Sequence, residues 1–162
     1  MTGLLLFAVV LLVLLNAFFV AGEYALVRSR RSKLEAAREE GAKGAVQALE
    51  QIEDISEYIS AAQVGITFTS IGIGAVGEPT VAHLLEPALG GPLSHGAAVI
   101  VAGVFAYLLI TSGHIVVGEI VPKLYVLDRA EGVARRIARP FRWTRVLFSP
   151  FTAVFTGISH RI

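Results

Sequence analysis

Three long runs without a charged side chain organise the sequence. The first covers residues 3–22 (GLLLFAVVLLVLLNAFFVAG), the second residues 58–77, and the third roughly residues 96–118. An α-helix rises 1.5 Å per residue, so each run is long enough to cross the ~30 Å hydrocarbon core of a bilayer. Closed backbone hydrogen bonding makes helices the structure that runs of this kind adopt in lipid. The pattern predicts an all-α integral membrane domain, residues 1–162, with three transmembrane helices over about 3–27, 58–78 and 96–127. Residues 78–95 are then the connection between the second and third spans.

The polar segments carry helical patterns of their own. Between the first two spans, Leu34, Ala37, Ala45, Ala48, Leu49 and Ile52 recur at near-helical spacing, with Gly41 and Gly44 marking an interruption. That stretch reads as a juxtamembrane helical hairpin over about 31–56, or as a solvated linker with no site of its own. After the third span, Arg135, Arg136, Arg139, Arg142 and Arg145 precede an apolar, aromatic stretch, 146–158, broken by Pro150. It is too short and interrupted for a fourth span. It predicts a basic amphipathic helix over about 130–160 at the inner interface, with Trp143 and the arginines at headgroup level.

Composition agrees with the pattern. The 162 residues are 54% hydrophobic and only 17% charged, with a mean hydropathy of +0.67. Soluble domains are about 45–50% apolar and about 25% charged. With no cysteine, the chain has no disulfide framework and no thiolate metal site. The net charge of +1 conceals a segregation, because every Lys and Arg lies within residues 28–43 or 123–161. By the positive-inside rule both segments are cytoplasmic and 78–95 face outward, giving an outer N-terminus and an inner C-terminus. A cleaved leader is disfavoured: no basic residues precede the first run, and the arginines follow it. The bilayer is the expected partner, in the plasma membrane, and no nucleic-acid motif is present.

Candidate chemistry lies inside the spans. The second run is polar for a membrane helix, and Gln63, Thr67 and Ser70, at i, i+4 and i+7, share one face that must point into protein or water. In the third, His114–Lys123 (HIVVGEIVPK) puts Glu119 beside Gly118 and three residues before Pro122. A charge at mid-bilayer costs ~2.5–3.5 kcal/mol on insertion scales and marks a candidate functional site. Lys123 at i+4 offers a plain ion pair. The proline points elsewhere: it has no N–H for the carbonyl four residues earlier, that of Gly118. A freed peptide oxygen then adjoins a carboxylate, and hard cations such as Mg²⁺ take oxygen ligands of this kind. Asn16 in the first span and Ser70 in the second supply further oxygens at comparable depth, although Asn16 equally suits an interhelical hydrogen bond. Glu23, at i+7 from Asn16, is a second cation site, an ion gate, or a neutral or arginine-paired carboxyl. His83, His95, His114 and His160 form no recognisable zinc spacing, and His114 is expected to be a hydrogen-bonded intramembrane residue. No nucleophile–base pair or phosphate-binding motif is present, so no enzyme is expected.

NAFFVAGEYALVRSRRSKLE, SAAQVGITFTSIGIGAVGEP and GEIVPK, in this order and spacing, resemble the transmembrane domain of the CNNM/CorC family over essentially the whole chain. The resemblance implies three transmembrane helices with a juxtamembrane belt, a homodimer, and a downstream cytoplasmic CBS module that responds to nucleotide. It implies Mg²⁺ transport, usually export, with a Na⁺ gradient proposed as the coupled force. Carried over by position, the ion site falls on Asn16, Ser70, Gly118 and Glu119, with Glu23, Gln63, Thr67, Pro122 and Lys123 in supporting or gating roles. Many members have serine at the position of Asn16 and often again at Val20, where this chain offers only backbone. The alternative function is a membrane-anchored Mg²⁺ sensor or scaffold for the cytoplasmic module, without transport.

Overall fold

The computed structural model describes residues 1–89 and 94–159, the last seven of these as backbone only. His160 falls outside the described residues. Every described element is helical: α1 (Thr2–Arg28), α2 (Arg31–Glu39), α3 (Ala45–Glu53), α4 (Ile55–Leu89), α5 (His95–Gly113), a π-helical segment (His114–Ile120), α6 (Val121–Leu127) and α7 (Ala130–Ser159). Three stretches are long and apolar enough to cross a membrane: Thr2–Arg28, Ile55–Leu89 and His95–Leu127. The fold class is therefore all-α with three candidate spans.

One helix runs further than its sequence pattern implies. The second span was expected to end near residue 78 and lead into a connection, yet α4 continues through Pro79 and Pro87 to Leu89. Proline removes one backbone bond per occurrence, here those to the carbonyls of Ala75 and His83; the Thr80 hydroxyl donates one turn back, to the Val76 carbonyl at 2.6 Å. The helix expected over about 130–160 is present as α7, which passes Pro140 and Pro150 without a break.

The chain divides into two compact units, Met1–Ala17 with Phe68–Ile120, and Phe18–Thr67 with Val121–Ile162. In the first, small residues set the packing. Ala98, Ala102 and Ala106 form a fully buried i, i+4, i+8 stripe on α5, while its larger residues, among them Ile100, Phe105 and Leu109, stay exposed as a lipid-facing surface requires. Gly72 of α4 receives Leu12 of α1, whose Cδ1 lies 3.2 Å from where a Cβ would stand, and Gly77 receives Ile110 of α5 at the same distance. These glycines serve contacts within one chain.

The second unit holds a conventional core. Leu34 of α2, Ala48 and Leu49 of α3, and Val133, Ala134, Ala138 and Phe141 of α7 bury together with Phe19, Ala25 and Leu26 of α1. The polar segment between the first two spans is thus a packed helical hairpin. Its turn uses Gly41 and Gly44 at φ +72° and +80°, and any side chain at Gly44 would strike the Arg135 carbonyl. Gln51, almost fully buried, donates to the Ala138 carbonyl at 2.6 Å and ties α3 to α7. Arg145 pairs with Asp54 at 3.0 Å and with Glu57, and lies over the Tyr58 ring. Trp143 is exposed, at 74%.

Phe141 is the central ring, edge-on to Phe18 at 5.8 Å and stacked near Tyr58 at 6.1 Å between centroids. It occupies the space that a side chain at Gly22 would need. Gly22→Leu should therefore destabilise the detergent-solubilised protein by about 1–3 kcal/mol or more, and adding Phe141→Ala should recover part of the loss in a thermal-unfolding assay. A second prediction concerns pH. Burial pushes the Glu131 carboxyl up, but N–H donors from its own backbone and Arg30, with the charges of Lys33 and Arg30, outweigh this and hold it below its ordinary value of 4.5. A depressed carboxyl stabilises the fold above 4.5 and loses that contribution as pH falls through its folded value. Wild type should thus exceed Glu131→Gln in melting temperature at neutral pH, and the gap should close below pH 4.5.

Candidate cation site in the membrane helices

The four expected ligand residues all belong to the first unit, and three meet directly. Asn16 of α1 is completely buried. Its Nδ2 donates to the Gly118 carbonyl at 3.1 Å, and its Oδ1 accepts from the Thr69 hydroxyl at 2.7 Å and the Ser70 hydroxyl at 3.3 Å. A peptide carbonyl can only accept, so the amide nitrogen must face Gly118 and the amide oxygen α4. One carboxamide thus joins three segments, α1, α4 and the π-helical segment.

The backbone around Gly118 explains why its oxygen is available. Residues 114–120 follow the π register, in which each carbonyl bonds five residues ahead. Pro122 is four residues after Gly118 and five after Val117, so it withholds an N–H from Gly118 in the α register and from Val117 in the π register. Buried carbonyls in lipid need partners, and the Gly118 carbonyl accepts from Asn16. A Cβ on Gly118 would stand 2.8 Å from His114 Cδ2 and 3.2 Å from Asn16 Nδ2. Only the absence of a side chain lets both groups approach.

Glu119 joins the cluster through His114. The His114 Nε2 lies 3.3 Å from Ser70 Oγ and 3.9 Å from Glu119 Oε1, with the two side chains 13% and 32% exposed. The other face of the imidazole closes an apolar groove of about 260 Å³ with Val13, Ile73, Ile110 and Val117. In an α-helix, residues five apart differ by about 140° in direction. In a π turn they stack one above the other, as His114 and Glu119 do. Sequence reasoning looked for the i+4 partner, Lys123, and missed both this pair and Thr69. The signal available was the buried proline, since π turns gather where the helical ladder is interrupted.

The supporting residues lie in the second unit. Gln63 Nε2 donates to Glu23 Oε1 at 3.3 Å, so those two polar groups form a pair. Thr67 turns its hydroxyl back to the Gln63 carbonyl at 2.8 Å, a local bond within α4. Pro122 is buried, and Lys123 Nζ sits 5.3 Å from the centre of the Tyr24 ring. Among the described residues, no three His, Cys, Asp or Glu side chains gather as a metal-binding group. The polar cluster is therefore built from neutral oxygens, one carboxylate and one imidazole.

A helical membrane domain with a buried polar junction in its spans is a class that comparison narrows. Residues 6–162 match the Cyclin M transmembrane N-terminal domain, CNNM, and the chain belongs to that family. It is 46% identical over 149 residues to the UPF0053 protein YhdT of Bacillus subtilis, a match covering 90% of this chain and 32% of that protein. It is 40% identical over 148 residues to UPF0053 protein YhdP of the same organism, covering 88% and 32%. A protein of Salmonella typhimurium named polyamine export protein is 26% identical over 156 residues, covering 96% of this chain and 35% of that protein. The chain spans about a third of the length of these curated relatives.

Asn16→Leu keeps a similar volume but strands the Gly118 carbonyl and removes the acceptor for Thr69. Leaving a buried polar group unsatisfied costs about 1–3 kcal/mol, so the variant should melt measurably lower than wild type in detergent. Asn16→Gln, which retains the amide, should lose less.

Proposed function

We propose that the cluster of Asn16, Ser70, Gly118 and Glu119 binds a divalent cation, Mg²⁺ foremost, and that the domain moves it across the membrane. The observation that supports this best is the convergence of a peptide oxygen, an amide and a hydroxyl on one side of a carboxylate-bearing π turn. Mg²⁺ seeks a compact octahedron of oxygens at about 2.0–2.1 Å and keeps waters where protein ligands run short. Hydrogen bonds hold these oxygens together. Binding would exchange those bonds for metal contacts: Ser70 would turn a lone pair inward, while the Gly118 carbonyl has a second lone pair to offer. Glu119 carries one formal charge against two, so the complex keeps a net positive charge. A site meant for passage needs binding strong enough to admit the ion and weak enough to release it.

The same proposal includes an outer N-terminus, a plasma-membrane location, a homodimer and a downstream CBS module. Export driven by a Na⁺ gradient enters this proposal from the family resemblance. Two other readings differ in what they predict. As a sensor or scaffold, the domain would bind Mg²⁺ without moving it. As a polyamine exporter, a reading suggested by the name of the Salmonella relative, it would take a linear polycation whose separated ammonium groups need several spaced acceptors. The compactness of the cluster favours the small ion.

Purified protein in liposomes loaded with a Mg²⁺-sensitive dye separates these readings. Wild type should pass Mg²⁺, and Glu119→Gln should fall to the rate of protein-free vesicles while eluting normally on size exclusion. Binding without flux would select the sensor, and block of flux by micromolar spermidine with spermidine uptake would select the polyamine reading. Wild-type flux in Glu119→Gln would overturn the site.

A further inference from the structure

We infer that His114 is a nitrogen ligand of this site, and that its imidazole lets the site hold first-row transition-metal dications such as Mn²⁺ and Ni²⁺ as well as Mg²⁺. This rests on the cation-binding reading above and specifies its substrate class.

Three observations converge on the ring. Its Nε2 is 3.3 Å from Ser70 Oγ and 3.9 Å from Glu119 Oε1. In an octahedron with bonds of about 2.1 Å, neighbouring ligands stand about 3 Å apart and opposite ones about 4.2 Å. Both distances fall in the interval that a shared cation would close. The ring also lies directly against Gly118, where a Cβ would meet its Cδ2 at 2.8 Å. Finally, the π register is what stacks His114 over Glu119; an unbroken α-helix would point them apart.

Ser70 donates to Asn16 Oδ1 at 3.3 Å, so the roles in its contact with His114 Nε2 depend on the ring tautomer. Ligation requires the tautomer with its proton on Nδ1, which leaves the Nε2 lone pair for the cation. The remaining donors are oxygens, giving one nitrogen among several oxygen ligands. Mg²⁺ prefers oxygen alone, whereas imidazole suits transition metals and affinity rises from Mn²⁺ to Ni²⁺. One nitrogen therefore tilts a site that is otherwise suited to Mg²⁺.

The test uses the purified chain in nanodiscs. Calorimetry should rank Ni²⁺ above Mn²⁺ above Mg²⁺ in wild type, and His114→Gln should lower Mn²⁺ and Ni²⁺ affinity by about 10- to 100-fold, more than it lowers affinity for Mg²⁺. Pulsed electron paramagnetic resonance of bound Mn²⁺ should show ¹⁴N coupling from a coordinated imidazole, a signal that a merely structural histidine does not produce. The signal should survive in a variant with His83, His95 and His160 changed to glutamine, where His114 is the sole histidine. If Mg²⁺ binds and bound Mn²⁺ shows no ¹⁴N coupling, this inference fails and the Mg²⁺ reading stands. Loss of the coupling in the triple variant overturns it equally. If wild type binds none of the three ions, both readings fall.

Discussion

The hydrogen bond from the Asn16 amide to the Gly118 carbonyl is the constraint around which the polar junction forms. A proline in a spanning helix leaves a peptide oxygen without its usual donor, and lipid offers no water to replace it. Near that proline, Asn16 donates to the Gly118 carbonyl. Because the amide nitrogen is committed there, the amide oxygen must face α4, where Thr69 and Ser70 donate to it. One carbonyl thus orders side chains from two other segments. The same bond carries chemistry, since every oxygen it gathers is a group that a hard cation can share.

Helix packing in the first unit follows a related economy of size. Membrane helices gain little from burying apolar surface against each other, so close approach and polar contacts must hold them. The alanine stripe of α5 and the glycines of α4 provide the approach. In the second unit the balance shifts to ordinary core packing. Phe141, Leu34 and the alanines of α7 exclude solvent around a ring cluster, and the charged residues keep to its outside, as Arg145 with Asp54 and Glu57 does.

Much of this was legible in the residues. Charge-free runs announce the three spans, and the alternation of Leu34, Ala48 and Leu49 with charged positions announces the hairpin. Asn16, Ser70 and Gly118 could be named because a lone polar group in an apolar run, or a glycine before a proline, has a physical cost that demands a reason. What could not be read was geometry that breaks the usual period. Helical reasoning at i+3 and i+4 cannot pair His114 with Glu119, since the π register is a property of the folded backbone. Nor can it extend α4 through Pro79 and Pro87, because the penalty of an internal proline is offset by tertiary surroundings that a sequence window does not contain. Thr69 was passed over because its neighbours Gln63, Thr67 and Ser70 define a helical face to which it does not belong.

Gly118 deserves a last consequence. The oxygen it contributes comes from the main chain, so no mutation can delete or recharge it; replacing the residue can only obstruct access to it. Diversification of this pocket among related sequences must then proceed through Asn16, Ser70, His114 and Glu119, around a fixed acceptor. A lineage could exchange hardness for softness, or one charge for none, and still inherit the same main-chain acceptor.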